Sequence, residues 1–332
     1  MAEAASIALS VVIPVYNEES GLAELFARLY PALDALAMSY EVVFVDDGSR
    51  DASPALLREQ YQRRPDVTRV VLLQSNFGQH AAILAGFSTL RGERIVTLDA
   101  DLQNPPEEIV ALLRAMDEGH DYVGTIRQSR RDPAWRKWAS KAMNRVRERI
   151  THIQMTDQGC MLRAYSRGIV EAINHTGSIN TFIPALAYLY ASRPTEIHVA
   201  HSPRHAGESK YSLFSLIHLN FDLVTGFSVV PLQAFSFGGI VIALASLALF
   251  VWIMLARLLH GPDVGGVFTL FAIMFFFIGV ILIGIGILGE YIGRIYQQVQ
   301  QRPRFVIRAV LGGTTDAASP RITASTEPRH DS

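Results

Sequence analysis

The sequence predicts an α/β fold, a mostly parallel sheet with helices on both faces, followed by interfacial helices and a two-helix transmembrane hairpin. In the first half, apolar runs that read as buried strands alternate with helical segments. Such alternation is typical of parallel sheets. In the second half lie two long uncharged stretches, 223–256 and 264–289. Each is long enough to cross a bilayer core, which takes about 20 residues.

The elements of the first half follow from the apolar runs and the turn residues between them. Because parallel strands end at one edge of a sheet, the polar loops after the first four strands are expected to form a site there. The predicted strands are Leu9–Val15, Glu41–Val45, Thr68–Leu73, Arg94–Leu98 and Asp121–Ile126. The predicted helices are Ser20 (as capping residue) to about Met38, Ser53–Gln62, His80–Leu90 and Glu107–Glu118.

Composition excludes several classes of protein. The 332 residues carry a formal net charge of −1, so no global field points to nucleic acid. The single cysteine, Cys160, excludes an internal disulfide and a cysteine-built metal site. The N-terminus has no basic start and no signal-type apolar run, so the first half is expected to stay in the cytoplasm.

Asp99 and Asp101 stand two positions apart where the fourth strand ends, ahead of a Pro-Pro pair. An isolated Asp-x-Asp is more often a solvated turn than a site. Here it shares an edge with three other polar loops. Two carboxylates with the amide oxygen of Gln103 suit Mg²⁺ or Mn²⁺, held through a few protein oxygens and substrate phosphates.

The chain is expected to divide by composition. Arginines, lysines, Trp135 and Trp138 crowd the segment after the fifth strand, a pattern that favours a basic helix at a membrane surface over a solvated face. The predicted divisions are 1–211, a cytoplasmic catalytic domain with the basic interfacial segment 127–150; 212–231, an interfacial helix; 232–257 and 264–290, transmembrane helices; 291–311, a cytoplasmic segment; and 312–332, a disordered tail.

Charge orients the hairpin. The exit from the second span has Arg294, Arg302, Arg304 and Arg308, whereas the connecting loop has one arginine. Positive charge favours the cytoplasmic side, so the tip is expected outside and both termini inside. The glycines of 284–289 match a dinucleotide pattern but lie inside a span, where close helix contact is the better interpretation.

Three motifs resemble the nucleotide-sugar motifs of glycosyltransferase family 2. They are Val12-Ile13-Pro14-Val15-Tyr16-Asn17-Glu18, Val45-Asp46-Asp47-Gly48-Ser49 and Asp99-Ala100-Asp101. With the C-terminal hairpin, the chain resembles the polyprenyl-phosphate glycosyltransferases of that family, over about residues 8–308. The resemblance is carried further by the segments 76–80, 98–108, 123–128, 159–165 and 207–212.

The resemblance implies a glycosyltransferase A-type fold and a set of site residues. The metal would be held by Asp99, Asp101 and Gln103, and it would stabilise the charge on departing UDP. Carboxylates suit the imide N–H of uracil and the ribose hydroxyls. The donor residues implied are Pro14, Tyr16, Glu18, Asp46 or Asp47, Asn76 and Asp99.

The implied acceptor is undecaprenyl phosphate. Its phosphate monoester has a second pKa of about 6 and is mostly a dianion near neutral pH, so it needs positive groups more than a base. Asp157 is expected to orient the sugar, with a base role as the alternative. By resemblance to dolichyl-phosphate mannose synthases, the phosphate would be held by Arg127, Arg136, Ser140 and Arg204, with Lys210 close by.

The activity implied is metal-dependent, inverting transfer of a formamido-arabinose from UDP at the cytoplasmic face of a bacterial inner membrane, supplying lipid A modification. Glucose or mannose is the alternative sugar. A non-catalytic scaffold or flippase component is the alternative from another class, and the intact Asp-x-Asp and arginines speak against it. The expected partners are the UDP-sugar, the polyprenyl phosphate, membrane lipids and further copies of the chain, without nucleic acid.

Overall fold

The computed structural model describes residues 7–127, 155–157, 159–176, 182–200, 230–260, 267–299 and 303–312. The chain divides into two compact units. We call the first the sheet unit (Met1–Pro133, Ile153–Ser209, Arg302–Ser332) and the second the helical unit (Ala134–His152, Lys210–Gln301). Three predictions lie outside the described residues: the basic segment beyond residue 127, the interfacial helix up to residue 229, and the tail from residue 313.

The sheet unit contains an eight-stranded sheet in the order β7-β5-β6-β4-β1-β2-β3-β8. Its centre, β4-β1-β2-β3, is parallel, as the strand–helix alternation predicts. The strands are β1 Leu9–Val15, β2 Tyr40–Asp46, β3 Thr68–Leu73, β4 Arg94–Thr97, β5 Tyr122–Arg127, β6 Arg163–Ser166, β7 Pro194–Val199 and β8 Ile307–Leu311.

The sheet is mixed at its sides. β6 runs antiparallel to both β4 and β5, which it joins, and β7 is parallel to β5. On the other side β8 pairs antiparallel with β3. None of β6, β7 and β8 was predicted from the sequence. The C-terminal segment after the second apolar stretch therefore returns to the sheet as its edge strand.

Helices cover both faces of the sheet, as predicted. On one face, alternate side chains of β1 such as Val11 and Ile13 share a core with α1, α2 and α4. On the other face, Gly86 of α3 lies so close to Val12 that an added Cβ would come within 2.5 Å of Val12 Cγ1. The helices are α1 Leu22–Asp34, α2 Ser53–Arg63, α3 Gln79–Phe87, α4 Ile109–Asp117, α5 Arg167–His175, α6 Ile183–Tyr190, α7 Val230–His260 and α8 Val267–Val299.

The first helix is shorter than predicted at both ends. The prediction that Ser20 caps it is wrong, because Gly21 occupies the N-cap position and no side chain caps the helix. At the other end α1 stops at Asp34, and Ala37 follows with φ of 51°. Since a non-glycine residue with positive φ interrupts a right-handed helix, the chain turns there toward β2.

The helical unit contains α7 and α8. The two helices meet where Phe235 covers Gly284, since a Cβ on that glycine would fall 1.9 Å from Phe235 Cζ. Gly284 therefore makes the close helix contact that was predicted, whereas a Cβ added at Gly286 or Gly289 would meet nothing within 4 Å. Among the described residues one segment, Phe276–Gly293, is long and apolar enough to cross a membrane by length and composition.

Candidate active site

A cleft of about 300 Å³ opens at the carboxyl edge of the sheet unit's parallel strands. The loops after β1, β2, β3 and β4 all contribute to it, which is the convergence that the polar strand ends predict. The predicted site residues that line it are Pro14, Tyr16, Glu18, Asp47, Asn76, Asp99 and Asp101.

Hydrogen bonds between backbone and side chains lock the first two loops together. The Asn17 N–H donates to Ser49 Oγ at 3.0 Å, and the Arg50 N–H donates back to Asn17 Oδ1 at 2.8 Å. The Glu18 N–H donates to Ser53 Oγ at 3.0 Å. Because these partners satisfy the loop backbone, Tyr16 and Glu18 are presented to the cleft by a preformed frame.

Asp47 joins the second loop to the third. Its Oδ1 accepts the Phe77 N–H at 2.8 Å, and its Oδ2 accepts the Gly78 N–H at 2.9 Å. Between the two loops there is no room for a side chain at Gly48, where an added Cβ would lie 2.5 Å from the Ser75 carbonyl carbon and φ is +68°. Each Asp47 oxygen keeps a second lone pair for a ligand.

Asp46 is as buried as Asp47 but has fewer hydrogen-bond partners. It is 1% exposed, and its Oδ1 accepts the Ser49 N–H at 3.3 Å. Its Oδ2 has no hydrogen-bond partner among the described residues. Burial raises the pKa of both Asp46 and Asp47, since desolvation disfavours the charged form. Of the pair, only Asp47 is among the described residues that line the cleft.

Each carboxylate of the Asp-x-Asp motif is held by an amide side chain. Gln79 Nε2 donates to Asp99 Oδ1 at 2.6 Å. Gln103 donates to Asp101 twice, from its N–H to Oδ1 at 3.2 Å and from Nε2 to Oδ2 at 2.5 Å. Gln79 also lines the cleft but was not among the predicted site residues. Gln79 is the first residue of α3, and the sequence alone does not show that this end of the helix lies beside the loop after β4.

The donor set fits a hard divalent cation. Asp99 and Asp101 line one cleft, and Gln103 lies against Asp101. The described residues contain no group of three or more His, Cys, Asp or Glu side chains that could hold a metal. Mg²⁺ is usually held by one or two carboxylates, with waters and substrate phosphates as its other ligands.

The predicted acceptor residues are only partly described. Arg127 is the last residue of β5. Asp157 lies in the segment before β6, where its Oδ1 accepts the Gly159 N–H at 3.1 Å. Among the described residues Asp157 is not part of the cleft lining. Arg136, Ser140, Arg204 and Lys210 lie outside the described residues.

Comparison with known proteins shows the family to which the chain belongs. Residues 10–173 match the model of glycosyl transferase family 2. The chain belongs to this family and is a glycosyltransferase, with a mixed, mostly parallel sheet of the A type.

Two relatives are similar over nearly their whole length. The undecaprenyl-phosphate 4-deoxy-4-formamido-L-arabinose transferase of Edwardsiella ictaluri is 51% identical over 91% of this chain and 94% of its own. The protein of the same name from Yersinia enterocolitica is 50% identical over 92% and 94%. A solved structure, mannosyl-3-phosphoglycerate synthase of Rubrobacter xylanophilus, is more distant, with 13% identity over 66% of this chain and 72% of its own and a TM-score of 0.47.

Proposed function

We propose that this protein transfers 4-deoxy-4-formamido-L-arabinose from a UDP donor to undecaprenyl phosphate at the cytoplasmic face of a bacterial inner membrane. The observation that carries the proposal is the convergence of four strand-end loops on one cleft containing Asp99 and Asp101. The named activity of relatives about half identical to this chain supports the sugar and the acceptor.

The donor's uridine would bind where the first three loops meet. Asp47 is the better candidate of the aspartate pair for the uracil imide, because it lines the cleft and retains acceptor capacity. Tyr16 is 42% exposed and offers its ring at the same wall. Pro14, Glu18 and Asn76 complete the proposed nucleoside contacts.

The diphosphate would lie toward the Asp-x-Asp loop. Asp99, Asp101 and Gln103 would hold Mg²⁺ or Mn²⁺, which when bound supplies Lewis-acid stabilisation of the departing UDP. The hydrogen bonds from Gln79 and Gln103 hold both carboxylates in place ahead of binding. Such preorganisation lowers the cost of assembling the site around a highly charged donor.

The transfer itself is a single displacement. An oxygen of the acceptor phosphate attacks C1 of the sugar, the C1–O bond to UDP breaks with its electron pair leaving on UDP, and the configuration inverts. Because the acceptor is already mostly a dianion, Asp157 orients the sugar instead of removing a proton. Arg127, Arg136, Ser140, Arg204 and Lys210 are proposed to hold the acceptor phosphate.

Chain connectivity supports a two-span anchor. The part of the helical unit that contains α7 and α8, Lys210–Gln301, is inserted between Ser209 and Arg302, and both flanking segments belong to the sheet unit. If the helices cross a membrane, both ends of the insertion must therefore lie on one side, which requires an even number of crossings. α7 has 31 residues and α8 has 33, and exposed apolar side chains such as Trp252 (72%) and Leu282 (62%) suit a lipid environment.

The test is product analysis with the full chain in membranes. UDP-4-deoxy-4-formamido-L-arabinose, UDP-glucose and GDP-mannose are each incubated with undecaprenyl phosphate and Mg²⁺ or Mn²⁺, and the lipid product is identified by mass spectrometry. We expect product from the first donor only. Asp101→Ala should abolish it, whereas Asp66→Ala, at an exposed carboxylate away from the cleft, should not.

Other results of these assays would contradict different parts of the proposed function. A glucosyl or mannosyl lipid would overturn the sugar assignment and keep the reaction. Absence of product with every donor would overturn the enzyme assignment and favour a scaffold or flippase component. Full turnover by Asp101→Ala would overturn the proposed metal site.

A further inference from the structure

A buried arginine holds the segment that contains Asp157. Arg163, the first residue of β6, is 0% exposed. Its Nε donates to the Cys160 carbonyl oxygen at 2.8 Å, and its Nη2 donates to the Asp157 carbonyl oxygen at 2.7 Å. Its Nη1 donates to the Tyr122 hydroxyl. The guanidinium thus spans the turn from Asp157 to Cys160 from inside the protein.

The charge of Arg163 is compensated by neutral acceptors. Among the described residues no carboxylate forms an ion pair with it. Burying an arginine without a counter-ion costs free energy unless its donors are well satisfied. A leucine or methionine would fill the same volume without that cost. The guanidinium therefore has a use beyond packing, and its contacts assign that use to the Asp157–Cys160 turn.

A second side chain, Glu196, holds the other end of the segment. We call Arg163 and Glu196 the two fasteners. The Thr156 N–H donates to both carboxylate oxygens of Glu196 on β7, at 3.0 and 3.1 Å. Both fasteners lie against Gly124 of β5, where an added Cβ would come within 3.2 Å of Glu196 Cγ and 3.3 Å of Arg163 Nη1. The backbone at Thr156 and Asp157 is therefore held by the Glu196 carboxylate, through the Thr156 N–H, and by the Arg163 guanidinium, through the Asp157 carbonyl oxygen.

The same segment is tied to the strand that leads into the Asp-x-Asp motif. Cys160 Sγ is 3.5 Å from Asn104 Oδ1, in the loop that contains Asp101. Thr97 of β4 donates from Oγ1 to the Met161 carbonyl oxygen at 2.6 Å. These contacts therefore connect the Asp157–Cys160 turn to the loop that contains Asp101.

We propose that Arg163, assisted by Glu196, is a positioning residue for glycosyl transfer. It sets the backbone of Asp157 so that the carboxylate meets the donor sugar in the geometry that displacement at C1 requires. The inference rests on the proposed function, since it takes Asp157 as a group that contacts the donor. Positioning errors of about 1 Å can lower a rate by roughly 100-fold, so the effect should be in kcat.

The test compares two buried arginines in the full-length protein. Arg163→Lys keeps the charge but cannot reach all three acceptors, and we expect kcat to fall roughly 10- to 100-fold while KM for the donor and UDP affinity change less than about 3-fold. Arg69→Lys is the matched control. Arg69 is 6% exposed, and its side chain faces Glu41 near the opposite edge of the sheet. Arg69→Lys should lower the melting temperature comparably and leave kcat unchanged.

A double-mutant cycle separates positioning from general destabilisation. In the Asp157→Asn background, Arg163→Lys should lower kcat by a further factor of less than about 3, since the carboxylate that Arg163 positions is already absent. An undiminished loss in that background would overturn the proposal, as would equal losses from Arg163→Lys and Arg69→Lys. If Arg163→Lys does not fold, the half-exposed Glu196→Gln replaces it in the same cycle, with the same criterion.

The proposal can fail independently of the proposed function. Wild-type transfer by Asp157→Asn would show that Asp157 has no role and would remove the basis for positioning it, while leaving the sugar and acceptor assignments intact. A large loss from Asp157→Asn with unchanged kcat in both Arg163→Lys and Glu196→Gln would sustain the role of Asp157 and overturn the role of the fasteners.

Discussion

Glu41 is a buried carboxylate at the amino ends of the strands. It is 1% exposed, and its Oε1 accepts from Ser10 Oγ and from the Arg91 N–H, both at 2.6 Å. Its Oε2 accepts from Arg91 Nε at 3.1 Å and lies 3.6 Å from Arg69 Nη2. Burial lowers the pKa of Arg69, because desolvation disfavours the charged guanidinium. The Glu41 carboxylate stabilises that charge.

Removing that carboxylate is predicted to destabilise the sheet. Glu41→Ala leaves Arg69 as a buried charge without its partner, a change that costs about 3–5 kcal/mol in comparable cases. The melting temperature of the detergent-solubilised chain should fall clearly. Glu59→Ala is the control, because it breaks an exposed pair with Arg63 whose side chains are 54% and 67% exposed and which is worth about 0.5 kcal/mol at most. Equal melting temperatures for both variants would contradict the prediction.

The edge strand β8 was not predicted from the sequence, and it lies beside β3. It covers β3, every residue of which is buried, and Ala309 and Leu311 pack against the core. The Gln74 N–H donates to the Val306 carbonyl oxygen at 2.9 Å, and Arg304 donates to the Thr176 carbonyl oxygen. An arginine assigned from sequence to membrane orientation thus also fastens this segment to the end of α5.

Deletion of β8 is predicted to weaken the sheet. A chain that stops after Gln301 exposes the hydrogen-bonding edge of β3, so we expect a melting temperature lower by at least about 5 °C and a greater tendency to aggregate. A chain that stops after Gly312 keeps β8 and should melt like the full protein. Identical melting of the two truncated chains would mean that β8 contributes nothing to stability. Thermal unfolding followed by size-exclusion chromatography makes the comparison.

For the chain as a whole, the proposed hairpin predicts which segments reach each side of the membrane. Cys160 is 1% exposed and should stay unlabelled, so single cysteines can be added to the native chain. Gly261→Cys, between α7 and α8, should react with a membrane-impermeant maleimide in intact spheroplasts. Glu59→Cys, exposed on α2, should react only after permeabilisation.

The reverse labelling pattern would place the connection between α7 and α8 in the cytoplasm and overturn the proposed orientation. Labelling of both cysteines without permeabilisation would mean that the membrane does not separate them. Activity measured on each variant confirms that the labelled protein is intact.

Local patterns were sufficient for the centre of the fold and for most of the cleft. Strands β1 to β5 follow from short apolar runs, because a buried strand needs consecutive apolar side chains. Asp99, Asp101 and Asp47 could be placed at one edge because parallel strands end together. The uncharged stretches predict two long helices for the same local reason, since their length and composition need no partner to be recognised.

Contacts between distant residues decided the remainder. Arg163–Ser166 and Ile307–Leu311 are short strands with charged residues, and they become strands because β4 and β3 present hydrogen-bonding edges that must be satisfied. The bond from Gln79 to Asp99 and the burial of Arg163 depend on how α3 and β6 pack against β4. Hydrophobic periodicity is a property of neighbouring residues, whereas the partner of a sheet edge or a buried charge is chosen only when the whole chain folds.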